Sequence, residues 1–148
     1  MKYEILKQVS KDFERSGKIQ RDVIAFLGML GFQQTARHSG LVAVEAKKLA
    51  LRFGEDPDSA TTAAWLHDVS AVFPNEQRIA VAKALDITPL PEEEILPLII
   101  HQRISKVMAE DIFGITNSAI LNAIGCHTTL RKDATNLDKV LFVADKIQ

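Results

Sequence analysis

The chain has a single cysteine, Cys126, so no internal disulfide can staple it and no cysteine-rich structural zinc site can form. Excess charge of one sign is also missing. The net charge is -1 with 25% charged residues, which lacks the basic surplus of a nucleic-acid binder and favours a small, specific anion as partner. Long apolar runs are absent: the aliphatic stretch from Leu96 to Ile100 is broken by Pro97 and is far too short to span a bilayer. The start Met1-Lys2-Tyr3-Glu4 lacks the apolar core of a secretion signal, so a cytoplasmic protein with no membrane partner is expected. There is no period-two alternation, internal repeat, low-complexity tract or linker. Ser16-Gly17-Lys18 lacks the leading glycine of a phosphate-binding loop, and Ser39 sits in no nucleophile elbow.

What is present is helical periodicity in a chain of 148 residues, 47% hydrophobic, which is enough for one domain with a real core. Leu6, Val9 and Phe13 share one face of a first helix, and a second runs from about Asp22 to Leu30 before Gly31. These form a helical lead-in over residues 1–32, ahead of the remaining domain at 33–148. A third helix starts near Gln34 and carries His38, Val42, Ala46, Leu49 and Phe53 on one stripe to Gly54. Asp56-Pro57 caps a helix through Ala60, Ala63, Ala64 and His67. Asn75 caps one holding Ile79, Ala82 and Leu85, and Pro91 with Glu92, Glu93 and Glu94 reads as a solvated acidic helix start. Further helices run from Ser105 to Ile112, from an Asn117 cap through Ile120, Ala123, Ile124 and His127, and from near Asn136 through Leu137, Leu141 and Asp145. The expected fold is an all-α, single-domain bundle of about six to eight helices.

All four histidines, His38, His67, His101 and His127, fall where apolar helical stripes meet. One buried histidine is more often a satisfied core residue than a ligand. The case is joint: none lies in a solvated run, and Asp145 occupies a position where a hydrophobic residue belongs. A buried carboxylate costs several kcal/mol unless paired or metal-bound. His67-Asp68 is the sharpest pair, because side chains about 100° apart at a helix end let the imidazole close one metal while the carboxylate reaches two. Imidazole and carboxylate donors suit zinc, iron, manganese, nickel or cobalt. Cys126 is read as a small core thiol and Trp65 as packing.

The order His38, then His67-Asp68, then Asp145 resembles the HD superfamily of metal-dependent phosphohydrolases. The segments His38-Ser39-Gly40-Leu41-Val42, Ala64-Trp65-Leu66-His67-Asp68, His127-Thr128-Thr129 and Leu137 to Ile147 are similar to its YqeK-like bacterial branch. With the isolated His101, the likeness runs from about His38 to the end. It implies an HD-type bundle over residues 33–148 and symmetrical cleavage of diadenosine tetraphosphate to two ADP at a pair of divalent or trivalent metal ions, iron by that likeness. His38, His67, Asp68 and Asp145 would hold one ion; Asp68, His101 and His127 the other. By the same likeness Asp68 would be the catalytic bridge, with a hydroxide held between the metals attacking phosphorus. The likeness leaves room for a homodimer.

The sequence departs from that branch at Ala71, where lysine is common, and at Thr35, where arginine is usual. The glycine-rich run after the third histidine is here Gln102-Arg103-Ile104-Ser105-Lys106. Arg103, Lys106, Thr128, Arg131 and Lys139 are candidate contacts for the nucleotide's phosphates, with Arg37, Lys132 and Thr129 near the ligands as well. Two further readings stand beside the tetraphosphatase: another HD-type nucleotidase or nucleotide phosphohydrolase, and a module that binds metal and nucleotide with little turnover.

Overall fold

A computed structural model describes residues 1–148. It contains nine α-helices and no strand: α1 (Glu4–Val9), α2 (Ile19–Met29), α3 (Gln33–Phe53), α4 (Pro57–Leu66), α5 (Arg78–Ala84), α6 (Pro91–Ile95), α7 (His101–Asp111), α8 (Ser118–Gly125) and α9 (Asn136–Ile147). Single turns of 3-10 helix at Val69–Val72, Asn75–Gln77 and Pro97–Ile100 bridge the shorter elements. No helix is long and apolar enough to cross a membrane.

The alanine-rich face of α4 explains the centre of the bundle. Ala60, Ala63 and Ala64 are fully buried, and their small side chains admit α3 closely on one side and α2, α8 and α9 on others. Where α3 crosses α4, Gly40 faces the indole of Trp65, and a Cβ there would lie 2.9 Å from the ring. The Asp56 carboxylate accepts the Ser59 N–H and Pro57 follows it, so α4 begins where the sequence places it. At its other end α3 stops at Gly54 with φ of 73°, a conformation that favours glycine.

Several local expectations are corrected. The first helix ends at Val9, and Phe13 packs from the following loop, its ring 5.5 Å from Phe26 and 5.6 Å from Phe113. The α3 stripe is buried at Val42 and Ala46 and half-buried at Leu49, but Phe53 is exposed, on the wall of an open groove beside Val140 and Val143 of α9. Asn75 makes no cap. The chain takes a 3-10 turn there, and α5 starts only at Arg78. The helix expected from Ser105 starts four residues earlier, at His101. The cap of α9 is Thr135, whose hydroxyl accepts the Asp138 N–H while Asp138 accepts the Thr135 N–H. Glu93 is not solvated: it is 2% exposed, accepts the Leu90 N–H and binds Arg103 at 2.7 Å.

Candidate metal centre

Five elements converge on one point. His38 comes from the second turn of α3, His67 and Asp68 from the end of α4, His101 from the start of α7, His127 from just beyond α8 and Asp145 from the last turn of α9. The buried pair Ser70 and Ser105 braces the segment after Asp68 against α7. The Ser105 hydroxyl donates to the Ser70 hydroxyl at 2.7 Å, and that hydroxyl donates to the His101 carbonyl at 2.9 Å. Gln102 ties α7 to the loop after His127, accepting the Thr128 N–H at 2.9 Å and donating to the Thr129 hydroxyl at 3.1 Å.

The six side chains fall into two groups, His38–His67–Asp68–Asp145 and Asp68–His101–His127, with donor atoms within 4.8 Å of one another in each. Asp68 belongs to both, and its two oxygens divide between them. Oδ2 lies 3.1 Å from His67 Nε2 and 3.8 Å from His38 Nε2, whereas Oδ1 lies 3.4 Å from His127 Nε2 and 3.5 Å from His101 Nε2. Asp145 Oδ1 sits 3.0 Å from His38 Nε2 and 3.4 Å from His67 Nε2. These six are the residues nominated from the sequence as metal donors, brought together by the fold.

Whether this cluster suits a cation can be judged from the imidazoles. His67 Nδ1 donates to the Ala64 carbonyl at 2.6 Å, His127 Nδ1 to the Ile124 carbonyl at 2.8 Å and His101 Nδ1 to the Leu98 carbonyl. A carbonyl only accepts, so Nδ1 carries a hydrogen in each ring and Nε2 is the atom presented to the cluster. His67 Nε2 is fully buried and meets no partner in hydrogen-bond geometry, although two carboxylate oxygens are within 3.4 Å. A buried nitrogen directed into a gap between carboxylates rather than at either one is what a cation there would satisfy. The cluster is able to hold metal.

Without a cation, protons do its work. Burial alone would push the His67 imidazole down, but the charges of Asp68 and Asp145 beside it outweigh burial and raise it to about 10. Burial likewise favours the neutral form of both carboxyls. His67, aided by bonds from His101 and His127, nevertheless holds Asp68 well below the usual carboxylate range, and His67 with His38 brings Asp145 to about 2. The His127 ring is pushed down, chiefly by burial. A raised imidazole stabilises the fold fully below its unfolded value near 6.5 and loses that stabilisation as pH rises toward 10. Chelator-stripped protein is therefore expected to have a lower urea midpoint at pH 9.5 than at pH 6.5. Protein saturated with metal should lose less over the same interval, since a ligating Nε2 must be unprotonated. Equal midpoints for the stripped protein at the two pH values would contradict this account.

An open cleft of about 390 Å³ reaches the cluster, lined by Gln34, Thr35, Ala71, Arg78 and Leu98 together with His38, Asp68 and His101. Of the residues nominated to bind phosphate, Thr128 reaches the cluster, its hydroxyl 3.4 Å from His101 Nε2. Four of the nominated cations have other partners or line another groove. Arg103 is held by Glu93 and the Thr88 carbonyl, Lys106 donates to Asn122 at 3.0 Å, and Arg131 is bound to Asp138 at 2.8 Å. Lys139 lines a separate apolar groove with Leu49, Phe53, Val140 and Val143. Arg78 went unnoticed in the sequence, although it is the one lysine or arginine in the cleft lining.

Comparison with known proteins agrees with this architecture. The HD domain model matches residues 35–148. The symmetrical bis(5'-nucleosyl)-tetraphosphatase of Bacillus subtilis is 32% identical over 111 residues, 75% of this chain and 59% of that protein. A protein of Lactococcus lactis subsp. cremoris, described as uncharacterized in the pepC 5' region, is 49% identical over 88 residues, 60% of this chain and 45% of its own length. The chain thus spans less than two thirds of these relatives. The crystal structure of a predicted HD superfamily hydrolase involved in NAD metabolism from Clostridium acetobutylicum superposes with a TM-score of 0.78 at 28% identity, covering 91% of this chain and 69% of that one. With a family match over the whole stretch that holds the six converging side chains, the chain belongs to the HD domain family.

Proposed function

We propose that this chain is a metal-dependent phosphohydrolase that cleaves diadenosine tetraphosphate symmetrically into two molecules of ADP. The observation that carries the reading is the sharing of Asp68, one oxygen turned to each donor group. In this reading His38, His67, Asp68 and Asp145 hold one ion and Asp68, His101 and His127 the second, with iron as the metal and manganese, zinc, nickel or cobalt suited to the same donors. Such a pair, when bound, supplies Lewis-acid polarisation of phosphoryl oxygens and a water acidic enough to attack phosphorus near neutral pH.

The chain's own residues supply positioning. The Nδ1 bonds to the carbonyls of Ala64, Leu98 and Ile124 fix three imidazoles on backbone atoms, so little reorganisation is needed when charge develops. Both carboxylates of the cluster, Asp68 and Asp145, are held ionised against histidines, so neither is set to protonate a leaving group. A phosphoanhydride needs no such acid: its leaving group is itself a phosphate, stable as an anion. The name of the Bacillus subtilis relative supports the same substrate class.

A second reading, a module that binds nucleotide with little turnover, draws on the uncharged Thr35 and Ala71 in the cleft lining. Product analysis decides. Metal-loaded protein given diadenosine tetraphosphate is expected to yield ADP alone. AMP plus ATP would point to asymmetric cleavage, rapid dephosphorylation of mononucleotides without this activity to a nucleotidase, and tight binding without product to the module.

A further inference from the structure

We propose that Arg78 is the residue through which the cleft grips the substrate's phosphate chain. This deepens the nucleotide reading above and rests on it. A polyphosphate brings more negative charge than two cations facing four histidines and two carboxylates neutralise, so the protein must add a positive group close to the reacting phosphorus. Four cations nearby in the sequence are committed elsewhere, to Glu93, Asn122, Asp138 or the groove between α3 and α9.

Arg78 is differently placed. It begins α5, directly after the 3-10 turn at Asn75–Gln77, and its Nε donates to the Phe73 carbonyl at 3.2 Å. That bond fixes the head group while leaving both terminal nitrogens without a protein partner. A planar guanidinium anchored at Nε and free at its outer edge is pre-set for two parallel bonds to one phosphate. It lines the same cleft as Asp68, His38 and His101. Ala71 lines the cleft too, with a side chain that ends at Cβ. A longer cation at position 71 would enter the same space, so the two positions can trade roles.

The test is calorimetric titration of the metal-loaded protein with ADP, with metal content measured on each variant. Arg78→Gln keeps a donor for the Phe73 carbonyl and removes the charge; it is expected to weaken ADP binding by roughly 10- to 100-fold with metal content unchanged. Arg78→Lys should recover only part of the affinity, since an ammonium cannot pair with two oxygens at once. Adding Ala71→Lys to Arg78→Gln should restore binding by returning a cation to the cleft. Undiminished ADP affinity in Arg78→Gln, or a loss that Ala71→Lys does not reverse, would overturn the assignment. Because titration needs no turnover, Arg78-dependent ADP binding by a protein that leaves diadenosine tetraphosphate intact would uphold this contact and sink the hydrolase reading alone.

Discussion

Asp68→Asn should lower hydrolysis on the order of 10³-fold or more while leaving the helical fold in place. The change keeps the size and planarity of the group, so packing at the end of α4 is little disturbed. What disappears is the negative charge that faces all four histidines. His67 and His38 lose their partner at Oδ2, His101 and His127 theirs at Oδ1. An amide offers one weak oxygen donor and an NH₂ that repels a cation, so neither group of donors stays complete. Bound metal should fall together with rate. Removing a residue that only orients a metal ligand typically costs 10- to 100-fold, so the larger loss distinguishes a shared bridge from a supporting role. A variant with near wild-type rate and metal content would show that Asp68 is not shared between two ions.

The second large effect concerns the helical lead-in. Phe26→Ala is expected to cost about 3–5 kcal/mol in urea or thermal unfolding, a large share of the roughly 5–15 kcal/mol typical of a native domain. The ring is fully buried on α2, edge-on to Phe13 and Phe113 at 5.5 Å from each. Phe13 lies in the loop after α1 and Phe113 just beyond α7, so this trio pins the first thirty-two residues to the second half of the chain. Truncation leaves a void whose walls are held by separate elements, which hampers collapse. One cooperative transition at a lower midpoint is the expected result. A separate early transition, or a cost below about 1 kcal/mol, would make residues 1–32 an independent appendage.

The cluster was readable because its signal is periodic. A histidine or aspartate on an apolar helical face stands out against its neighbours, as His38, His67, His127 and Asp145 do; Asp68 follows from its place beside His67, and the isolated His101 from the family likeness. Cations carry no such mark. Arg103 and Arg131 sit near the donors in sequence, but their partners Glu93 and Asp138 are buried carboxylates whose positions depend on how α6 and α9 dock. Glu93 looked solvated inside an acidic run, and only the tertiary fold reveals that the run turns one member inward. Arg78 was missed for the opposite reason: eleven residues beyond His67, it reaches the cleft through two 3-10 turns, which no helical period describes. The extent of α7 failed similarly, because Pro97 suggests a break while Pro97–Ile100 winds straight into a helix at His101.

The most direct measurement is a crystal of protein purified without chelator, with anomalous scattering collected at the absorption edge of whichever metal elemental analysis finds. Two peaks are predicted, one among His38, His67, Asp68 and Asp145 and the other among Asp68, His101 and His127. A single peak at full loading, or ions bound away from Asp68, would contradict the two-metal account.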